Sequence, residues 1–128
     1  MPRPTSELLT DREAQIMEIL WRRDRATAEE VRAELTDEPH DSTVRTLLRV
    51  LKEKGYVKIA GRQPAVYEPT VPQSDVQQSA ARSLLNRFFG GSADALVLRL
   101  LEDEQLTAEQ LSQLRKQFAS QRRKGGRR

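Results

Sequence analysis

Ser42-Thr43-Val44-Arg45-Thr46-Leu47-Leu48-Arg49-Val50-Leu51-Lys52-Glu53-Lys54 is the stretch on which the fold turns. Wound as an α-helix at about 100° per residue, it puts Val44, Leu47, Leu48 and Leu51 on one side and Ser42, Thr46, Arg49 and Glu53 on the other. Thr43 and Arg45 flank the outward side. A helix that packs its aliphatic stripe inward therefore offers hydroxyls and guanidiniums side by side to whatever lies outside. Hydroxyls suit phosphate oxygens and either type of base, and a guanidinium can fork onto O6 and N7 of guanine or pair with phosphate. The same residues, taken alone, also describe an ordinary amphipathic surface helix with solvated charges. The neighbours decide between the two.

Upstream, Thr10-Asp11-Arg12-Glu13 fits a capping box. It opens a first helix expected to run to Arg23, with Ala14, Met17, Leu20 and Trp21 on one side and Ile16 and Ile19 beside them. Thr27-Ala28-Glu29-Glu30 is a second capping box, before a short helix that turns Val31 and Leu35 inward. Pro39 halts that helix, Asp41 or Ser42 is placed to cap the third, and Gly55 is a natural stop for it. Three short helices with brief connections, the third of them basic, are the arrangement of a helix-turn-helix module.

Downstream the period changes. Tyr56-Val57-Lys58-Ile59-Ala60 and Ala65-Val66-Tyr67-Glu68 are β-prone and roughly alternating, and Gly61-Arg62-Gln63-Pro64 joins them. A hairpin directly after a third helix is a wing, with Arg62 at its tip, where it either reaches a duplex or is simply solvated. The charge follows the same plan. Residues 1–41 hold six basic and eleven acidic side chains, whereas residues 42–67 hold six basic side chains against Glu53 alone. Positive charge is thus focused where phosphate binding requires it. The candidate DNA contacts are Ser42, Thr43, Arg45, Thr46, Arg49 and Lys52 on the third helix, with Lys58 and Arg62 on the wing.

Pro69 and Pro72 bracket a connector. Beyond it, Val76, Ala80, Ala81, Leu84, Leu85, Phe88 and Phe89 recur at helical spacing up to Gly90-Gly91. A following helix, from Ala93 to Glu102, carries Leu96, Val97, Leu98, Leu100 and Leu101 on more than one face, a pattern that predicts burial on several sides. Thr107-Ala108-Glu109-Gln110 starts a last helix with Leu111, Leu114 and Phe118 on its stripe. Three such helices cannot enclose a core of their own. Either they fold back on the N-terminal module or a second chain covers them, and the second solution is preferred. The dimerisation residues are then Leu84, Leu85, Phe88, Phe89, Leu96, Val97, Leu100, Leu101, Leu111, Leu114 and Phe118. The expected fold is mainly α with a small β-hairpin: a winged helix-turn-helix domain over residues 1–70, a three-helix dimerisation segment over 71–120, and a basic disordered tail over 121–128.

Composition narrows the function. The 128 residues contain no cysteine, which removes disulfide scaffolds and thiolate metal sites. No apolar run reaches the roughly 18 residues of a membrane span, and Met1-Pro2-Arg3-Pro4 is no signal peptide, so a soluble cytoplasmic protein is expected. His40, the sole histidine, lies beside Asp37, Glu38 and Asp41 and reads as a solvated loop residue. With no Gly-rich phosphate loop, metal-ligand spacing or nucleophile–base arrangement, neither an enzyme nor a cofactor site is expected. A winged helix that binds protein in place of DNA would want an apolar outward face on the third helix. Only Val50, near its edge, leans that way.

These residues resemble the penicillinase-repressor family of bacterial transcriptional regulators, the BlaI/MecI/CopY group. The likeness spans about residues 8–118 and is carried by Leu9-Thr10-Asp11-Arg12-Glu13 with Ile16-Met17-Glu18-Ile19-Leu20-Trp21, Thr43-Val44-Arg45-Thr46-Leu47-Leu48-Arg49 with Leu51 and Lys54-Gly55, and Tyr67-Glu68-Pro69. Leu84-Leu85-Asn86-Arg87-Phe88-Phe89-Gly90-Gly91 and Ala95-Leu96-Val97-Leu98 look like the family's dimer segment. The resemblance implies a homodimer that places two third helices in the major grooves of a palindromic operator and blocks transcription, with Thr43, Arg45 and Thr46 among the DNA contacts. It also implies release by a membrane-bound metalloprotease sensor that cuts an Asn-Phe bond. Here Leu98-Arg99-Leu100-Leu101 stands where that bond would fall. The C-terminal cysteines of the copper-responsive branch are absent too.

Overall fold

The computed structural model describes residues 9–125, with side chains to residue 122. The elements follow in the order α1 (Asp11–Arg23), β1 (Ala26–Thr27), α2 (Ala28–Glu34), α3 (Asp41–Glu53), β2 (Val57–Gly61), β3 (Val66–Pro69), α4 (Gln73–Phe88), α5 (Ala93–Glu102) and α6 (Ala108–Gly125). The chain divides into two compact units, the division falling inside α4 between Ala80 and Ala81.

Both expected capping boxes form. Thr10 Oγ1 accepts from Glu13 N and Glu13 Oε1 from Thr10 N; Thr27 and Glu30 repeat the exchange at α2. The core of the first unit joins Ile16, Met17 and Leu20 of α1, Val31 of α2, and Val44, Leu48 and Leu51 of α3 to Tyr56, Val57, Tyr67 and Val71. Each of these aliphatic side chains contributes about 1.5–3 kcal/mol by leaving water. The α1 stripe is centred on Leu20, which turns Glu13 into the core and leaves Ala14, expected on the inward side, exposed. The partners of Glu13, described below, allow a charged residue at this buried position.

The wing forms as a β2–β3 hairpin in antiparallel register, Lys58 facing Glu68 and Ile59 facing Tyr67, with an irregularity between Ile59 and Gly61. It is part of a three-stranded sheet of order β1-β3-β2, because Ala26 and Thr27 pair with Tyr67 and Val66 on the far side of β3. A two-residue strand is too short to show a period, so the sequence offered no sign of it. The connector after the wing is fixed to this unit: Val71 is buried and its carbonyl accepts a 2.8 Å bond from Trp21 Nε1.

In the second unit Gly90 and Gly91, both at positive φ, close α4, and Gly91 N donates to Leu85 O at 2.8 Å. That bond answers one of the helix's free carbonyls, and the left-handed backbone it needs suits glycine. Ser92 caps α5, and Thr107 with Gln110 forms a capping box for α6. The multi-sided burial expected of α5 is not found among the described residues. Leu96, Val97, Leu100 and Leu101 are half-buried and Leu98 is exposed. The last helix continues to Gly125, past residue 121 where a disordered tail was expected. Gln121, Arg122, Arg123 and Lys124 are all good helix formers, and no breaker precedes Gly125-Gly126. Residues 126–128 lie outside the described residues.

Candidate nucleic-acid interface

The geometry starts from how firmly α3 is held. Val44, Leu48 and Leu51 are fully buried, which fixes the rotation of the helix about its axis. Its C-terminal end is tied three ways. Tyr56 N reaches back to Leu51 O at 2.9 Å, with Gly55 between them at φ +90°. Thr70 donates its amide to Tyr56 O and its hydroxyl to Gly55 O at 2.6 Å, joining the helix end to the segment after the wing. Lys54 Nζ donates 2.9 Å to Glu13 Oε1, joining it to the start of α1. Before α3, Arg32 Nε holds Pro39 O at 2.6 Å and so anchors the loop from α2. A reading helix needs such support, because a misplaced side chain loses its base contact.

The N-terminal cap differs from expectation. His40, read as a loop residue, takes the N-cap position with no side-chain hydrogen bond, and Asp41 is the first helical residue. Neither Asp41 nor Ser42 caps, and the Asp41 carboxylate lies instead 2.8 Å from Arg45 Nε.

All eight candidate DNA contacts are exposed. Ser42, Thr43, Arg45, Thr46, Arg49 and Lys52 share the solvent side of α3, opposite its aliphatic stripe; Lys58 lies on β2 and Arg62 in the turn that follows. Val50, near the edge of this side, is half-buried. Three of the cations are already paired. Arg45 holds Asp41, Arg49 Nη1 holds Glu53 at 3.0 Å, and Lys58 lies 3.5 Å from Glu68, which Arg25 also approaches at 3.6 Å. The hydrogen bond it donates to Asp41 holds the Arg45 guanidinium above its ordinary value, so it stays charged at any working pH. The sequence places Glu53 on the outward side and Asp41 at the start of the helix, but the pairs that these carboxylates form with Arg49 and Arg45 are a finding of the structure. The i,i+4 spacings Asp41–Arg45 and Arg49–Glu53 were the signal that could have found them, whereas the Lys58–Glu68 pair needed the strand register.

Among the described residues no group of His, Cys, Asp and Glu is arranged to hold a metal, and no helix is long and apolar enough to cross a membrane. The profile of the penicillinase repressor family matches residues 9–120. The chain belongs to that family. It is similar to the penicillinase repressor of Bacillus licheniformis, 31% identical over 109 residues that cover 83% of this chain and 85% of that one. It is similar to the penicillinase repressor of Staphylococcus aureus, 28% identical over 106 residues, 80% of this chain and 84% of that one. A third relative is the methicillin resistance regulatory protein MecI of Staphylococcus aureus strain N315, 26% identical over 110 residues, 84% of this chain and 89% of that one. Among solved structures, the DNA binding domain of the repressor BlaI matches at 26% identity and a TM-score of 0.48, covering 59% of this chain and 93% of that chain. As a member of the penicillinase repressor family, the chain has the mainly helical architecture with a small antiparallel sheet described above.

Proposed function

We propose that this chain is a DNA-binding transcriptional repressor that reads a palindromic operator as a homodimer. The observation that carries the reading is the core-locked α3 with Ser42, Thr43, Arg45, Thr46, Arg49 and Lys52 on its solvent side. Lodged in a major groove, Arg45 meets base edges and the hydroxyls of Thr43 and Thr46 meet phosphate or bases. Arg49, Lys52, Lys58 and Arg62 face the sugar-phosphate backbone and fix the register. Residues 1–70 do the reading, and residues 71–120 pair two copies so that two α3 helices address two half-sites. Occupying promoter DNA then blocks transcription. Membership of a family of repressors supports this reading. Relief by a membrane-bound metalloprotease sensor, as the family resemblance implies, would need a cleavage site other than Asn-Phe, since Arg99-Leu100 stands there.

Arg45→Ala tests the base-reading role. It is expected to weaken binding to the operator about tenfold or more while changing affinity for random duplex little. Equal loss on both duplexes would reduce Arg45 to a phosphate contact. Unaltered binding to both would remove α3 from the interface.

A further inference from the structure

The cation meant to read bases is held by a carboxylate of its own helix, and the atoms involved matter. Asp41 Oδ2 accepts from Arg45 Nε at 2.8 Å, so the bond is made at the side of the guanidinium. Among the described residues neither Nη group of Arg45 donates to anything, which leaves the end of the fork with both Nη atoms open. Two parallel N–H donors are what O6 and N7 of guanine accept. Arg49 is arranged the other way, because Glu53 takes its Nη1 at 3.0 Å and so occupies the fork end. Both pairs sit on the exposed side of α3, one turn apart in spacing, yet they leave different edges of the guanidinium free.

We infer that Asp41 is a specificity-determining positioning residue, which aims the fork end of Arg45 at a guanine edge and withholds Arg45 from phosphate. The inference rests on the DNA-reading role of α3 proposed above. A guanidinium tied at Nε keeps two donors for a base but cannot swing to the backbone without breaking its pair. An untied one reaches phosphate on any sequence. In water an exposed pair of this kind is weak and screened. Against a duplex, where water is displaced, the same pair strengthens. The Asp41 carboxylate also faces the phosphates unfavourably wherever the protein lands, so it lowers affinity for all sequences. Only the guanine contact that it organises offsets that cost. Asp41 therefore discriminates by penalising the wrong DNA as well as by arranging the right contact.

The experiment uses the full chain and a pool of randomised duplexes. Sites are selected with wild type, and the selected duplex and a shuffled one are titrated at fixed salt with wild type, Asp41→Asn, Asp41→Glu, Arg45→Ala and Glu53→Gln. Asp41→Asn is expected to bind the shuffled duplex more tightly and to lose about five- to tenfold of the preference for the selected one. Its lost preference should fall on the same base pairs as that of Arg45→Ala. Asp41→Glu, which reaches Arg45 from the same turn, should restore most of it. Glu53→Gln should gain on both duplexes alike. The inference is overturned if Asp41→Asn gains equally on both with its base preferences intact, if the lost preference falls on other base pairs, or if Glu53→Gln loses as much. A wild type that selects no sequence, or an Arg45→Ala variant that selects as wild type does, overturns the reading role of α3 and this inference with it.

Discussion

Glu13 lies in the core of the first unit at 3% exposure, between Ile16 and Met17 of α1 and the end of α3. Burial by itself would push its carboxyl up. The Thr10 amide and the Lys54 ammonium, both bonded to Oε1 at 2.9 Å, outweigh burial and hold it below the ordinary value of 4.5. A carboxyl with a depressed folded value adds stability that is complete above its ordinary value and is lost as pH falls through the folded one. Glu34 and Asp37, lowered by hydrogen bonds from Arg23 and Arg12, lose stability in the same direction, so the wild-type acid curve mixes several groups. The difference between wild type and Glu13→Gln isolates the buried one. At pH 7 the variant, which loses the Glu13–Lys54 pair, is expected to be less stable by about 2–3 kcal/mol, below the range for a fully buried pair because Lys54 is partly exposed. In melts taken at successively lower pH below 4.5 the gap should close. A gap independent of pH would mean that Glu13 is not ionised in the fold.

At the level of elements, what a sequence reveals depends on whether the stabilising contact is local. The capping boxes at α1 and α2, the Gly55 stop of α3 and the wing strands were all legible, because each is written within a few residues. The solvent side of α3 was legible for the same reason: one aliphatic stripe sets the direction of every other side chain. Strand β1, the inward turn of Glu13 and the half-buried state of α5 depend on residues distant in the chain, and none left a local trace. The start of α3 is the instructive case. Local rules favoured Asp41 or Ser42 as its cap, but the attraction of Arg45 claims the Asp41 carboxylate, and His40 is left at the N-cap without a side-chain bond. His40 has φ −58° and ψ 145°, an extended backbone that an N-cap serine adopts without strain. His40→Ser is therefore expected to stabilise the protein by about 0.5–1 kcal/mol, read as a higher urea midpoint at unchanged slope. A lower midpoint would mean that the imidazole makes packing contacts worth more than the missing cap.

For the whole molecule the deciding asymmetry is in burial. The first unit has a closed core, whereas among the described residues no side chain after Val71 is buried. Phe88 is 67% exposed, Phe118 59% and Leu98 57%, and on the same helices Leu84 and Leu114 are exposed while Leu85, Leu96, Leu100, Leu101 and Leu111 are half-buried. Apolar surface on that scale is costly in water, and small helical segments with this pattern are stabilised by a second copy. If a second chain covers these faces, association and folding of the second unit are linked. Its melting temperature must then rise with protein concentration, as it does for any fold that a partner completes. Sedimentation equilibrium at micromolar concentration is expected to give twice the chain mass, and Phe88→Asp to give the single mass with a lower melting temperature. The same variant should weaken binding to a palindromic site far more than to a single half-site, because linkage of two reading helices is lost while each α3 remains intact. A wild type that sediments at the single-chain mass, with a melting temperature independent of concentration, would show that these faces are covered in some other way. The two-half-site reading would then fail even if one α3 still bound DNA.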